Sequence, residues 1–596
     1  MSSTSSATGT SLPGQTLLLY PEKAWYIIAI FLLVVGCFQW GSLMHSKFAG
    51  RRRRMRPKRP DEEFTSPPPS AGPDKYSIRR LPLALANFYR VVAFRWTVEF
   101  GKSYTFSVAE VLVATSYVVL VLAWTFVGIR DKNFVLSPWS TRVGVVASSQ
   151  LPLVTALGTK HNLVSLVTGV SYDKLNFMHR VTARTCFTLL LVHAGAEIYS
   201  FTRLDVDLHK TWLRAGITAV VALGILCVMS VRPVRAENYE FFFYTHFVAV
   251  LIFLLGGYIH TSATHESWIW PSLVIWGLDR SLRALKVVAF NYPYFFSMRG
   301  SRALDATTEL LSDDFVRVKF RRPRYFRWKP GQAAYLIMPS VSRFPLETHP
   351  FSIASIDSPL FVSNEQDLNR FSPRGTADWK ELVFIISVRG GFTRRLRDAA
   401  AQNKTVKVFI DGPYGPSPEL GCYDTSVLIA GGSGITYTLP VFLNIIECVR
   451  NGASRCSRVV FIWAIRDADN LHWIESTLHK AHELAPPGLE LSVRIFVTRG
   501  PGRTPLVAEG DAAADCKESI MTAAHWLTTE SGRPDVGVIL REEMERTSGR
   551  MSVNVCGSQS LARSVRGALC VSGSGVWNVL RGGPSVTLCV ESFGYA

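Results

Sequence analysis

The sequence predicts a multi-domain fold: an α-helical transmembrane bundle of about seven spans, then an antiparallel β-barrel, then a doubly wound α/β domain. Three observations lead there. Long apolar runs crowd the first half of the chain, and two of them carry histidines at one shared offset: His179 and His193 in one, His246 and His260 in the other. Past residue 300 the long runs give way to short alternating ones bounded by turn residues, as in half-buried strands. Past residue 421, short continuous apolar runs alternate with helical patterns, as expected of a parallel sheet covered on both faces.

At 596 residues the chain exceeds one domain. A mean hydropathy of +0.16 fits a membrane protein with a sizeable soluble part. The net charge of +19, from 65 basic and 46 acidic side chains, would suit a nucleic-acid partner if it were spread over a soluble face. Instead the basic residues gather beside apolar runs, most densely at 51–59 (RRRRMRPKR). That is the pattern of positive-inside flanking charge, and no nucleic-acid partner is expected. Ten cysteines show neither metal-ligand spacing nor a disulfide framework.

Residues 1–23 read as a disordered external N-terminus. The first apolar run, 24–41, has only Lys23, beside Glu22, in place of a basic stretch before it and no small-residue cleavage site after it, so it reads as a retained helix, not a signal peptide. Further spans are expected at 106–128, about 143–159, about 177–200, 212–231, 241–262 and from near Trp268. Seven spans with residues 51–59 inside put the N-terminus outside and everything beyond Lys286 in the cytosol. Arg232 and Arg235 then also fall inside, in independent agreement. The expected organisation is therefore a first helix and cytosolic basic linker over 24–105, a membrane domain over 106–290, the barrel over 300–420 and the α/β domain over 421–596.

Fourteen residues at 3.6 per turn is about 3.9 turns, so each histidine pair shares one helix face. The partners lie roughly 21 Å apart along the axis, near opposite edges of a hydrocarbon core about 30 Å thick. Side by side, two such helices set His179 opposite His246 and His193 opposite His260. This is the geometry of two stacked bis-imidazole sites, and we read it as two b-type hemes. A buried histidine is more often a hydrogen-bonded core residue, but the repeated offset is rare with only 13 His in the chain. Ionisable groups in a membrane also tend to be functional. A proton relay in a transporter is the alternative that the histidines alone leave open.

In the soluble half, strands are expected at 315–320, 333–338, 382–388 and 406–410, then at 427–430, 459–465, 491–497, 552–555 and 585–590. Two stretches, 358–380 and 500–530, read as surface insertions. VLIAGGSGIT (427–436) is a buried strand running into a glycine turn and a helix, where backbone can approach a pyrophosphate. Alone it is a weak signal, being neither a full GxGxxG nor a Walker A loop. Its context is stronger: HPFSIAS (349–355), RGGFTRRL (389–396) and DGPYG (411–415) precede it, and FIWAIRDADNLHW (461–473), VTRG, GRPD (532–535), VNVCGS (553–558) and a terminal VESFGYA follow.

That ordered set resembles the ferredoxin-NADP reductase superfamily and, taken with the paired histidines, looks like the fungal ferric reductases, relatives of the NADPH oxidases. The resemblance implies FAD, NADPH and two hemes b as cofactors. It places His349, Pro350, Phe351 and Ser352 at the flavin ring, with Ser352 near its N5. Gly391, Phe392 and Thr393 would sit at the FAD pyrophosphate, with Arg389 or Arg394 supplying positive charge. Gly431, Gly432, Ser433, Gly434, Ile435 and Thr436 would cradle the NADPH pyrophosphate, and Cys556 with Gly557 would lie beside the nicotinamide. Arg466 and Arg533 match arginines near the adenosine 2′-phosphate, and Tyr595 matches an aromatic that stacks on the flavin. Ser558 stands where many relatives have proline, and Ala596 follows Tyr595.

The implied activity is transmembrane reduction of ferric chelates, or of Cu(II), at the plasma membrane, with electrons passing from cytosolic NADPH through FAD, the inner heme and the outer heme. An iron-uptake oxidase or permease would be the partner. The rival of the same class is an NADPH oxidase that passes the electron to O2 to make superoxide. In such oxidases the second histidine pair stands one residue closer, and here no D-x-[DN]-x-[DN]-G calcium loop is found. A rival of another class is a proton channel with a nucleotide-sensing domain, which heme absorbance would separate from both.

Overall fold

A computed structural model describes residues 13–54, 77–100, 104–127, 138–204, 207, 209–262, 268–292, 305–344, 347–361, 379–499, 526–547, 549–571 and 575–592. Tyr595, most of the expected N-terminal tail and most of both expected insertions lie outside these residues. In the first half the helices are α1 Pro13–Arg54, α2 Leu81–Arg90, α3 Val108–Phe126, α4 Pro138–Ser149, α5 Leu151–Gly158, α6 Leu163–Thr168, α7 Tyr172–Arg203, α8 Thr211–Met229, α9 Arg232–Glu237, α10 Tyr239–Thr261 and α11 Trp270–Phe290. A hairpin of β1 Thr97–Phe100 and β2 Tyr104–Ser107 precedes α3. Two compact units result, one of residues 1–45 and 109–284 and one of 46–108 and 285–594.

In the first unit, parts of α1 (Pro21–Gly41), α3, α8 and α10 are long and apolar enough to cross a membrane. At 32 residues, α7 spans about 48 Å and so outruns the hydrocarbon core. Side chains such as Leu112, Val221, Val228 and Val248 face outward, exposed, as lipid-facing positions do. The interior holds one cluster around Val121, Val146, Leu153 and Leu189 and another around Ala222, Leu223, Ala249 and Phe253. The span expected at 143–159 is instead two short helices, α4 and α5, parted at Gln150. Pro152 explains the break, because it has no N–H to donate back to the preceding turn. Asp279 of α11 is nearly fully buried and accepts the backbone N–H groups of Lys160 (3.1 Å) and His161 (2.9 Å), which ties the loop after α5 to the bundle.

The second unit begins its sheets with β3 Asp305–Ser312, β4 Phe315–Pro323, β5 Ala333–Ile337, β6 Thr348–Ser352, β7 Trp379–Ser387, β8 Val406–Lys407 and β9 Phe409–Tyr414, with helix α12 Gly391–Ala401. Their orders are β7-β4-β3-β8 and β6-β5-β9, with every neighbour antiparallel. The two sheets wrap one core. Val316, Val318 and Phe320 alternate inward from β4 to meet Leu336, Phe384 and Ile410. The single strand expected at 406–410 is two, β8 and β9, which belong to different sheets.

The α/β part contains β10 Thr425–Gly431, β11 Arg458–Ile465, β12 Glu490–Val497, β13 Leu527–Ser531, β14 Arg550–Gly557 and β15 Ser585–Ser592. Its helices are α13 Ile435–Arg450, α14 Glu475–Leu484, α15 Val536–Arg546, α16 Gln559–Val571 and α17 Val576–Leu580. The order is β13-β12-β11-β10-β14-β15, all parallel. Alternate residues of β10 and β11 feed opposite cores: Leu428 and Phe461 on one face, Val427 and Val460 on the other. β13 closes what reads in sequence as an insertion; its exposed Thr528 and Thr529 carry no apolar signal. The apolar α13 meets the length and hydropathy of a span, but its buried positions pack on this sheet.

The stretch 77–107 is not a free linker. Arg95 is buried, and its guanidinium donates to Leu569 O (3.1 Å), Val586 O (2.7 Å) and Asn87 Oδ1 (3.3 Å). The segment is thereby fastened to α16 and β15, about 480 residues away in sequence.

Candidate metal and cofactor sites

Helices α7 and α10 run parallel and bring the four histidines together in two pairs. The His179 and His246 rings have centroids 6.5 Å apart at 61°, and those of His193 and His260 are 6.3 Å apart at 70°. With an imidazole–metal bond of about 2.0 Å and about 1.1 Å from that nitrogen to the ring centre, two rings flanking one iron would stand about 6.2 Å apart. Both pairs fit that spacing.

The rings are also oriented. Nδ1 of His179 donates to Val154 O (2.8 Å), Nδ1 of His193 to Ser140 O (2.9 Å) and Nδ1 of His260 to Trp212 O (3.0 Å). A histidine whose Nδ1 carries the proton presents Nε2 as the ligand, the usual outer-sphere arrangement at a metal. Nδ1 of His246 is buried without a protein partner. Ser140 also donates its hydroxyl to Glu197 (2.6 Å), one turn beyond His193.

Glycines make room for three of the rings. A Cβ on Gly144 would come within 2.8 Å of the His193 ring, one on Gly158 within 3.0 Å of His179, and one on Gly216 within 2.5 Å of His260. Sequence reasoning missed these three, although Gly144 and Gly158 repeat the fourteen-residue offset of the histidines they face.

In the barrel, β6 carries His349, Pro350, Phe351 and Ser352, all half-buried and paired with β5. The His349 ring stacks on Phe392 of α12 at 4.3 Å, and its Nε2 meets Glu347 at 2.8 Å. Glu347 also accepts from the Arg343 backbone (2.6 Å) and from Arg395 (3.1 Å). Burial pushes its carboxyl up, but the His349 and backbone hydrogen bonds outweigh that and hold it below the usual range. Thr393 Oγ1 accepts the backbone N–H groups of Arg389 (2.9 Å) and Gly390 (3.3 Å) and so shapes the start of α12. Gly391 opens that helix, and Arg389 and Arg394 stand exposed beside it. Such a helix N-terminus favours a phosphate. Neither Glu347 nor Arg395 was singled out from sequence, since a lone acid two residues before HPFS has no motif of its own.

Strand order reverses between β10 and β14, and the crevice outside their carboxyl ends is where open α/β sheets hold ligands. Gly431 closes β10, Gly432, Ser433 and Gly434 turn into α13, which starts with Ile435 and Thr436, and Cys556 with Gly557 ends β14. A Cβ on Gly434 would lie 2.0 Å from Cys556 O, so only glycine fits there. Gly432 has φ +54°, and Trp463 of β11 holds its carbonyl at 3.0 Å. Burial pushes the Cys556 thiol well above its usual range. Arg466 and Arg533 are exposed just past β11 and β13 on this same edge; Arg499, past β12, lies between them and pairs with Asp467 at 3.4 Å.

A helical membrane bundle with opposed histidine pairs, joined to a barrel and a nucleotide-binding sheet, defines a multi-pass membrane flavoprotein. Comparison with known proteins narrows the class. Residues 143–257 match the ferric reductase like transmembrane component, 301–418 an FAD-binding domain and 423–570 the ferric reductase NAD binding domain. In its membrane part and in its nucleotide-binding part alike, the chain is similar to ferric reductases. It is 30% identical over 369 residues to the probable cell surface ferric reductase kap2 of Aspergillus oryzae, covering 59% of this chain and 46% of that one. To the ferric/cupric reductase transmembrane component 2 of Saccharomyces cerevisiae it is 25% identical, covering 71% and 58%. The chain thus spans about half the length of the curated relatives it matches. A solved ferredoxin NADP+ reductase from Neisseria gonorrhoeae with bound FAD and NADP aligns over 48% of this chain and 97% of its own, at 13% identity and TM-score 0.31.

Proposed function

We propose that this chain reduces ferric chelates outside the plasma membrane with electrons drawn from cytosolic NADPH, using FAD and two b-type hemes as carriers. The observation that carries the reading is the double histidine pair, each with the 6.3–6.5 Å spacing of two rings flanking one iron, in a chain that also has FAD- and NAD-binding domains. A hydride brings two electrons and ferric iron takes one, and a flavin supplies the conversion between them.

The residues divide the work. His179 and His246 hold the inner heme and His193 and His260 the outer one, near opposite edges of the bilayer. The backbone acceptors at Val154, Ser140 and Trp212 fix the tautomer and rotation of three ligands. His349, Pro350, Phe351 and Ser352 line the flavin ring, and Gly391, Phe392, Thr393, Arg389 and Arg394 its pyrophosphate. The crevice at Gly431–Gly434 and Cys556–Gly557 takes the nicotinamide nucleotide, with Arg466 and Arg533 on the 2′-phosphate and Tyr595 over the flavin. Ligation by two histidines leaves no open iron position, which favours electron transfer over bound-oxygen chemistry. Reduced metal would pass to an uptake oxidase or permease, and Cu(II) would be reduced by the same outer edge.

The test is stopped-flow on the detergent-solubilised full chain with NADPH, offering ferric chelate or O2 as sole acceptor. Two hemes per chain and steady turnover with ferric chelate under argon are expected. Turnover only with O2, most electrons appearing as superoxide, would make the chain an oxidase; an absent Soret band would leave the histidines to a proton path.

A further inference from the structure

Residues 77–100 present two faces, one of which packs against the nucleotide-binding domain. Asn87, Ala93 and Arg95 point into the nucleotide-binding domain, where Asn87 Oδ1 also accepts the Val586 N–H at 3.1 Å and Ser77 donates its N–H to Leu580 O at 3.1 Å. The opposite face is apolar and open: Leu81, Leu85, Phe88 and Tyr89 follow helical spacing along α2 and are 42–60% exposed, with Ile78 before them and Trp96 after. Positions i, i+4, i+7 and i+8 make one stripe, so these residues form a single patch, not scattered exposure. A contiguous apolar patch on a polar domain marks an interaction surface.

Two facts say what covers it. The first is continuity with the bilayer: Val108, the first residue of spanning helix α3, donates its N–H to Trp96 O at 3.1 Å. The end of the patch therefore sits one hydrogen bond from a helix that enters the membrane. The second is charge. Apart from the buried Arg95, residues 77–98 carry Arg79, Arg80 and Arg90 and no acidic residue, and the run 51–59 stands upstream. An amphipathic helix with an aromatic apolar face and only arginine charge is built for the headgroup boundary of an anionic leaflet.

The geometry points to α2 and the turn after it as an in-plane membrane anchor that binds the anionic lipid surface of the leaflet where α3 begins. Because Arg95 and Asn87 clasp α16 and β15 from the other face, the anchor holds the nucleotide-binding domain against that leaflet. It is a bracket with one side in lipid and one in protein.

The test reconstitutes the full chain in phosphatidylcholine vesicles containing phosphatidylserine, with the photo-crosslinker p-benzoylphenylalanine in place of Leu85 or, in a second variant, Phe88. Both positions are exposed, so the substitution disturbs no packed core. Val538 on α15, also exposed, is the control site. Lipid adducts at 85 and 88 several-fold above those at 538 are expected, with yield falling when phosphatidylserine is omitted. Adducts to a second polypeptide at 85 and 88, or lipid yields no higher than at 538, would overturn the anchor. An unchanged yield in phosphatidylcholine alone would overturn its anionic preference. None of these readouts depends on bound heme or flavin.

Discussion

A histidine in an apolar helix is better oriented as a ligand when its other nitrogen is held. Here three of four are held by backbone carbonyls, and glycines let their rings lie flat on neighbouring helices. His193→Ala should therefore remove the outer heme and leave most of the inner one, because the ligand sets lie at different depths. The check is the Soret absorbance per chain: a fall by about half is expected, and an undiminished band would sink the ligand assignment. At the other end, a charge-assisted contact to phosphate contributes on the order of 1.5–3 kcal/mol, or roughly 10- to 150-fold in affinity. Arg533→Ala should raise the KM for NADPH within that range while leaving the KM for NADH nearly unchanged. Equal losses for both nucleotides would show the arginine to be structural. The histidine pairing was legible because helix periodicity turns an offset into a face. The Nδ1 acceptors were not, since Ser140, Val154 and Trp212 act through backbone carbonyls that every residue possesses.

At the scale of elements, β6 and α12 form one unit through Glu347. Its folded carboxyl titrates below the reference value of 4.5, so its contribution is complete above about pH 4.5 and is lost as pH falls through the lower folded value. Thermal unfolding of the flavin domain should accordingly become acid-sensitive below that pH. Glu347→Gln should remove the sensitivity, lower stability by about 1.5–3 kcal/mol and loosen flavin retention. A variant that keeps the wild-type acid slope would show that another carboxylate governs it. β4 and β10 could be read from sequence because alternation and continuous burial leave opposite, distinct patterns. β3 could not: only Ala306 and Thr308 of its eight residues face inward, so the strand is held by its neighbours and not by its own hydrophobicity. The break between α4 and α5 had a local signal in Pro152, which the continuous apolar run around it concealed.

For the whole molecule, the order of membrane bundle, barrel and nucleotide-binding sheet was readable from changes in periodicity along the chain. The return of residues 77–100 to β15 was not, because that contact rests on buried Arg95 and Asn87 meeting distant backbone groups, which leave no pattern in sequence. What the architecture demands most strongly is sidedness. His179 and His193 lie about 21 Å apart along α7, and the orientation expected from positive-inside charge would turn the His179 end toward the cytosol. Under the proposed function, nicotinamide nucleotide and metal would then meet the protein on opposite faces. In sealed vesicles with the nucleotide-binding domain outward, NADPH added outside should reduce ferric chelate trapped within, where an enclosed ferrous chelator reports the product. Adding ferric chelate and a membrane-impermeant ferrous chelator only outside should give little colour, and His193→Ala should abolish the trans reaction while NADPH still bleaches the flavin. Replacing air by argon should leave the trans rate intact, because a ferric chelate serving as acceptor competes with oxygen and does not require it. Ferrous product appearing on the NADPH side in His193→Ala as fast as in the wild-type trans reaction would mean that the flavin reduces metal directly and that the histidine pairs carry no part of the flux.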